Sequence, residues 1–183
     1  GVIQKVVYKA CKDWKYPRKI LFLRKVGSTV YDSIFEDVKQ CLDAWDLLDK
    51  CKVNNSAYRI ELPNGAQFIF KGLDNPEKIK SIKGISDVVM EEASEFTLDD
   101  YTQLTLRLRD RKHKLKQIYL MFNPVSKVNW VFNAFFVKNP KNTVIYQTTY
   151  KDNRFLDDVT RENIEELANR NEAYYKIYAL GEF

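Results

Sequence analysis

Asp87-Val88-Val89-Met90-Glu91-Glu92-Ala93 is the stretch that decides how this chain is read. A short apolar run ends abruptly in two adjacent carboxylates. Apolar runs of that length form strands buried on both faces, the pattern of a parallel sheet covered by helices. Two acids at the tip of such a strand are costly unless something outside the sheet neutralises them. A hydrated divalent cation carrying a phosphate is the usual neutraliser. That is the physics of a Walker B site, where one acid holds the magnesium shell and the next polarises the attacking water. The competing reading is a surface turn opening the following helix, where acids suit the N-terminal dipole.

Working outward, the pattern alternates between helical and strand periods, which predicts an α/β layered fold. Val2, Val6, Ala10 and Trp14 fall four apart, a helix over 2–14 with no capping residue before it. Pro17 stops it, and Lys19–Arg24 follows as a buried strand. Gly27-Ser28-Thr29 breaks the chain and opens a helix to about Leu48, striped by Val30, Ile34, Val38, Cys41, Trp45 and Leu48. Tyr58–Leu62 and Gln67–Phe70 alternate at period two around Pro63-Asn64-Gly65, a β-hairpin signal. A short helix or turn is expected from Pro76 to Ile82, released by Gly84. After the Val88–Glu91 strand come a helix over 98–108 starting near Thr97 or Asp99, a strand over 116–122, an aromatic-rich helix over 128–137 and a β-branched strand over 143–149. From Leu156 onward only two helices are legible, the second ending at Gly181. Composition shifts from strand-bearing to all-helical near residue 150, so the expected division is 1–150 and 151–183.

The chain has 183 residues, enough for a real core. Its 45% hydrophobic and 14% aromatic content excludes a disordered chain. A net charge of +5 is compatible with a polyanionic partner without establishing one. Cys11, Cys41 and Cys51 lack Cys-x-x-Cys spacing and His113 is the only histidine, which argues against a zinc cluster and for reduced thiols in a cytoplasmic protein. No apolar run has membrane-spanning length.

Further candidates surround the twin acids. Asn123 ends the apolar strand and could contact a γ-phosphate or the lytic water; Asn-Pro is also a common turn starter. Arg107, Arg109, Arg111, Lys112, Lys114 and Lys116 form a basic segment between a helix and a strand. Parallel strands would put it on the sheet edge opposite Glu92, as a contact for DNA phosphates or another subunit, or as a solvated loop. Lys78, Lys80 and Lys83 carry the same two readings. Arg24, just past a strand end, is a weaker candidate for the nucleotide side. Trp130, Phe132, Phe135 and Phe136 could stack on bases, but their helical spacing fits core packing better.

A magnesium-nucleotide ATPase also needs a phosphate cradle, and no Gly-x-x-x-x-Gly-Lys-Ser/Thr occurs among the six glycines. Because residue 2 reads as already inside an uncapped helix, the expectation is a P-loop protein truncated just upstream of Val2.

Several ordered blocks then carry a resemblance. They are Ile20–Lys25 with Ser28–Val38; Leu62-Pro63-Asn64-Gly65 leading to Phe70-Lys71-Gly72-Leu73-Asp74; Lys78-Ile79-Lys80-Ser81 before Val89–Glu95; Phe122-Asn123-Pro124; Thr149–Asn153; and Leu180–Phe183. Together the chain resembles the ATPase domain of the large terminase subunit, the packaging motor of tailed bacteriophages. The resemblance implies a P-loop NTPase-type (ASCE) α/β fold, with a mainly parallel sheet flanked by helices, a β-hairpin and a C-terminal helical linker subdomain from Asp152. It implies Glu91 as the magnesium-holding Walker B acid, Glu92 as catalytic glutamate and Asn123 within the coupling motif. It further implies ATP and Mg2+ as cofactors of the full-length protein and double-stranded DNA as its cargo. The portal protein, a small terminase subunit and a homo-oligomeric ring on the procapsid would be its partners, in the host bacterial cytoplasm. Walker A loop, adenine-binding segment and nuclease domain are missing from these residues, so the chain alone is expected to bind ATP weakly or not at all. Two other readings stay open: a different P-loop, helicase-like ATPase, and a non-enzymatic α/β binding module.

Overall fold

A computed structural model describes residues 1–74, 79 and 81–183. The expected short helix from Pro76 and the candidates Lys78 and Lys80 lie outside the described residues. The chain divides into two compact units, Gly1–Met121 and Phe122–Phe183.

The first unit is a mixed α/β layer built on a six-stranded, mostly parallel sheet. Its strands are β1 (Lys19–Arg24), β2 (Lys52–Asn54), β3 (Arg59–Glu61), β4 (Gln67–Gly72), β5 (Asp87–Glu91) and β6 (Gln117–Met121). They lie in the order β2-β3-β4-β1-β5-β6. β4, β1, β5 and β6 run parallel, whereas β2 and β3 meander back antiparallel at one edge. β1 and β5 sit inside the sheet, which is why both read as unbroken apolar runs rather than alternating ones. The expected hairpin is β3–β4. Only Gly65 of its turn has positive φ (83°), with Leu62 and Ala66 closing the loop. Asn64 instead serves the neighbouring helix. Its buried amide donates to the carbonyls of Ala10, Cys11 and Asp13, ending helix α1 (Val2–Lys12).

One face of the sheet carries the main core. Phe22 stacks on Phe70 with ring centroids 4.8 Å apart, and Phe35 meets Phe70 edge-on at 4.9 Å. Val6, Val7 and Ala10 of α1, and Val38 and Leu42 of α2 (Glu36–Asp43), close over them. The alternate residues Leu21, Leu23, Val88 and Met90 are equally buried and point to the other face.

The helix expected from Gly27 to Leu48 is broken. A 3-10 turn (Gly27–Thr29) and a π-type turn (Tyr31–Phe35) precede α2, which stops at Asp43. Ser33 donates its hydroxyl to the Thr29 carbonyl (2.7 Å) and leaves the helical region, competing with the backbone ladder. Asp46, in a left-handed conformation, turns the chain away, and Trp45 is left exposed. Trp14 likewise lies beyond the end of α1 and is 68% exposed. Helix α3 (Leu98–Thr105) starts as expected at Thr97, whose hydroxyl accepts from the Asp100 amide while Asp100 accepts from the Thr97 amide.

The second unit is irregular and helical. A π-type helix, Phe132–Val137, forms the core of the expected aromatic helix. Phe132 stacks on Phe136, and Phe183 packs edge-on against both at 4.8 Å, so packing describes these rings. Residues 143–149 form no strand. Their β-branched composition suits a sheet, but Val144 and Tyr146 are exposed; propensity alone does not make a strand. Helix α4 (Asp158–Arg170) begins at the Asp157 cap, and the closing turns run from Glu172 to Ala179. Gly181 (φ 64°) ends them against the Thr148 carbonyl. Among the described residues no helix is long and apolar enough to cross a membrane.

Candidate active site

β1 and β5 are parallel neighbours, with Leu23 in register with Met90. Their carboxyl ends therefore deliver Arg24 and Glu91 to the same rim. Open α/β sheets bind ligands at that rim, because the loops leaving adjacent strands diverge and leave a crevice. Arg24 Nη1 lies 3.4 Å from Glu91 Oε2, both side chains being mostly buried. Arg24 Nε is buried with no hydrogen-bond partner among the described residues. An oriented N–H in that state costs free energy until an acceptor reaches it.

Glu92 follows in a left-handed conformation, φ 51° and ψ 54°. For a residue with a Cβ this costs roughly 1–2 kcal/mol. Backbone strain of that kind gathers where a side chain must be aimed. It solves a problem set by the strand: successive residues point to opposite faces, and the sharp turn lets the second acid reach the rim as well. Burial pushes the Glu92 carboxyl above the usual glutamate range; the Arg24 guanidinium pulls it back, and Glu95 and Glu91 push it further up. A half-buried carboxylate with a raised proton affinity is suited to accept a proton.

The neighbouring loop is fixed by two contacts. Lys25 Nζ donates to Asp100 Oδ2 (2.7 Å), tying the end of β1 to the first turn of α3. Burial raises the Asp100 carboxyl, but Lys25 and the Thr97 donors outweigh it and hold it below the usual range. Gly72, ending β4, lies so close to Gly27 that a Cβ on it would sit 2.2 Å from the Gly27 Cα. The loops after β4 and β1 are pressed together as only glycines allow.

Asp87 does not share this cluster with the twin acids, and Glu95 touches it only through its charge on Glu92. Asp87 starts β5, roughly 13 Å from Glu91 at about 3.3 Å per residue, and Glu95 is exposed. Asp87 is fully buried, accepting from Lys9 (2.6 Å), Arg18 (2.9 Å) and Ser86 (2.9 Å). Arg18 also pairs with Asp13, and Lys9 donates to Gln117. This network pins the far ends of β5 and β6 to α1. Sequence reasoning missed it because its members lie up to 108 residues apart.

Asn123 belongs to the second unit. It is half-buried and follows Met121, the β6 residue in register with Glu91, by two positions. Of the candidates, the structure joins Arg24 to Glu91–Glu92. The signal available in sequence was that Arg24 ends an apolar run of the same kind as Glu91.

Among the described residues no group of three or more His, Cys, Asp and Glu is arranged to hold a metal. Glu91 could hold a magnesium ion only through the ion's waters, whereas the unpartnered Arg24 Nε–H would suit a phosphate oxygen and not a metal.

The profile of the phage terminase large subunit family matches residues 1–182. The chain is 33% identical over 179 residues to the large terminase subunit of Bacillus phage SPP1, spanning 91% of this chain and 42% of that protein. It is 29% identical over 198 residues to the PBSX phage terminase large subunit of Bacillus subtilis strain 168, with 98% and 45% spanned. It thus spans less than half the length of these relatives. The crystal structure of a large terminase from a thermophilic bacteriophage aligns with a TM-score of 0.79 at 16% identity, over 98% of this chain and 43% of that one.

Proposed function

This chain belongs to the phage terminase large subunit family, and on that premise we propose that it is the ATPase core of a DNA-packaging motor that drives double-stranded DNA into a procapsid. The observation that carries the reading is the Arg24–Glu91 pair and strained Glu92 on the carboxyl rim of the parallel sheet. The thermophilic phage terminase has been crystallised with ATP-γ-S and with ADP, which supports nucleotide as the ligand of this rim.

Glu91 would hold magnesium through its water shell, and the ion would neutralise the charge on the transferred phosphoryl group. Glu92 orients the attacking water and takes its proton, a role its raised affinity suits. Arg24 keeps Glu91 in place and offers its unused Nε–H to a phosphoryl oxygen. Asn123 reports the state of the γ-phosphate to the rest of the motor. Residues 1–150 form the ATPase core and 151–183 a helical linker subdomain. The working assembly is a ring on the portal of the procapsid, acting with a small terminase subunit in the host bacterial cytoplasm. With no Gly-x-x-x-x-Gly-Lys-Ser/Thr in its sequence, the 183-residue chain itself binds ATP weakly or not at all; micromolar binding by calorimetry would contradict this.

The test is Glu92→Gln in a protein carrying the natural flanking residues. Glutamine fills the space but cannot take the proton, so magnesium-dependent hydrolysis should fall by about 10²–10⁴-fold while ATP binding persists. Unchanged turnover would overturn the assignment.

A further inference from the structure

We propose that the sheet rim opposite Glu91 and Glu92 is a second functional surface, a phosphate-backbone contact for double-stranded DNA. Two basic segments far apart in sequence meet there. Residues 12–19 lead into β1 and residues 109–116 lead into β6, and parallel strands bring the two segments to the same edge. Together they hold nine Lys and Arg against two Asp.

The structure clips them to each other. His113 Nε2 lies 2.7 Å from the Tyr16 carbonyl oxygen, and Arg18 donates to the Leu115 carbonyl at 3.2 Å. His113 Nδ1 contacts Asp110 Oδ2, and Lys116 donates to the Asp110 carbonyl (3.0 Å), folding the second segment onto itself. The local acids are consumed by these inward contacts: Asp13 by Arg18, Asp110 by His113, Asp87 by Lys9 and Arg18. What remains outward is one sign of charge. Lys12, Lys15, Arg111, Lys112 and Lys114 are exposed, and none pairs with a carboxylate among the described residues. Exposed Trp14 and Tyr16 belong to the same segment as Lys12 and Lys15.

Unpaired cations on a surface assembled from two segments attract a polyanion without reading its sequence, because binding is driven by release of condensed counterions. A protein partner is less well matched, since protein interface cores are depleted of lysine. The choice of duplex DNA among polyanions rests on the packaging reading; the charged surface itself does not.

The experiment uses the 183-residue chain and a fluorescein-labelled random duplex of about 30 bp, followed by anisotropy from about 50 to 300 mM NaCl. The wild-type chain should bind with an affinity that falls steeply with salt. Arg111→Gln/Lys112→Gln/Lys114→Gln should weaken binding at least about tenfold and flatten the log–log salt slope by about 3, close to 0.9 per lost contact. The control Lys138→Gln/Lys141→Gln/Lys151→Gln, equal in charge and also exposed, should change the slope by less than a third of that. All six positions are exposed, and matching thermal unfolding curves confirm intact folds. Three results would overturn the proposal: no binding at low salt, equal losses in both triple variants, or competition by polyglutamate as effective as by unlabelled duplex. None of them bears on Glu92→Gln turnover, so this surface and the ATPase reading fail separately.

Discussion

Replacing Asp87 by Asn should be among the most damaging single-atom changes this chain can suffer. The carboxylate is fully buried at the start of β5, between the Lys9 ammonium and the Arg18 guanidinium, whose side chains are only 15% and 8% exposed. Asparagine keeps the shape but leaves the Lys9 ammonium without a counter-charge and Arg18 with Asp13 alone. Removing one partner of a buried ion pair costs about 3–5 kcal/mol. The amide oxygen can still accept one hydrogen bond, so the lower end, about 3 kcal/mol, is expected. Domains of this size have about 5–15 kcal/mol in hand, so the variant should fold and unfold at a lower urea midpoint with an unchanged slope. Urea titration by far-UV circular dichroism at pH 7 measures the loss. Burial already pulls the Lys9 ammonium below the usual lysine range, with Asp87 opposing it. Without Asp87 that opposition is gone, so the deficit should shrink as pH rises and Lys9 is buried neutral. Adding Lys9→Met should recover part of the loss, since one uncompensated cation disappears. A loss below about 1 kcal/mol, or no recovery in the double variant, would mean that the network does not anchor the strand bearing Glu91.

Other changes test other parts of the framework. Because the folded Glu92 carboxyl titrates above its unfolded value of about 4.3, its charge costs stability that is absent below that pH and fully present above the folded value; Glu92→Gln should therefore raise the unfolding midpoint at pH 7 and leave it unchanged near pH 3. Gly72→Ala would push a Cβ to 2.2 Å from the Gly27 backbone, and calorimetry should show a loss of about 1–3 kcal/mol, whereas Gly84→Ala, with nothing within 4 Å of its Cβ, should suffer only from its positive φ. Asn64→Ala leaves the Ala10 carbonyl at the end of α1 without its buried donor, and thermal unfolding should report a loss of about 1–3 kcal/mol.

The parallel core was legible because its strands lie inside the sheet. Lys19–Arg24 and Asp87–Glu91 are buried on both faces, so their apolar runs are uninterrupted and their ends abrupt. Glu91 and Glu92 could be picked out for the same reason: a charge where an apolar run stops is conspicuous. The helix through Ser33 and the strand over 143–149 misread because local pattern was the only guide. A serine hydroxyl diverted the first, and the second stays exposed and forms no strand.

Local sequence thus determined the interior strands Lys19–Arg24 and Asp87–Glu91 and which residues stand at their tips, since burial on two faces leaves its mark residue by residue. Tertiary structure alone decided that Arg24 meets Glu91, that Glu92 turns into the left-handed region, and that Asp87 is held by Lys9 and Arg18. Those are through-space encounters between charges, fixed by strand order and register, and neither order nor register is written in any single segment.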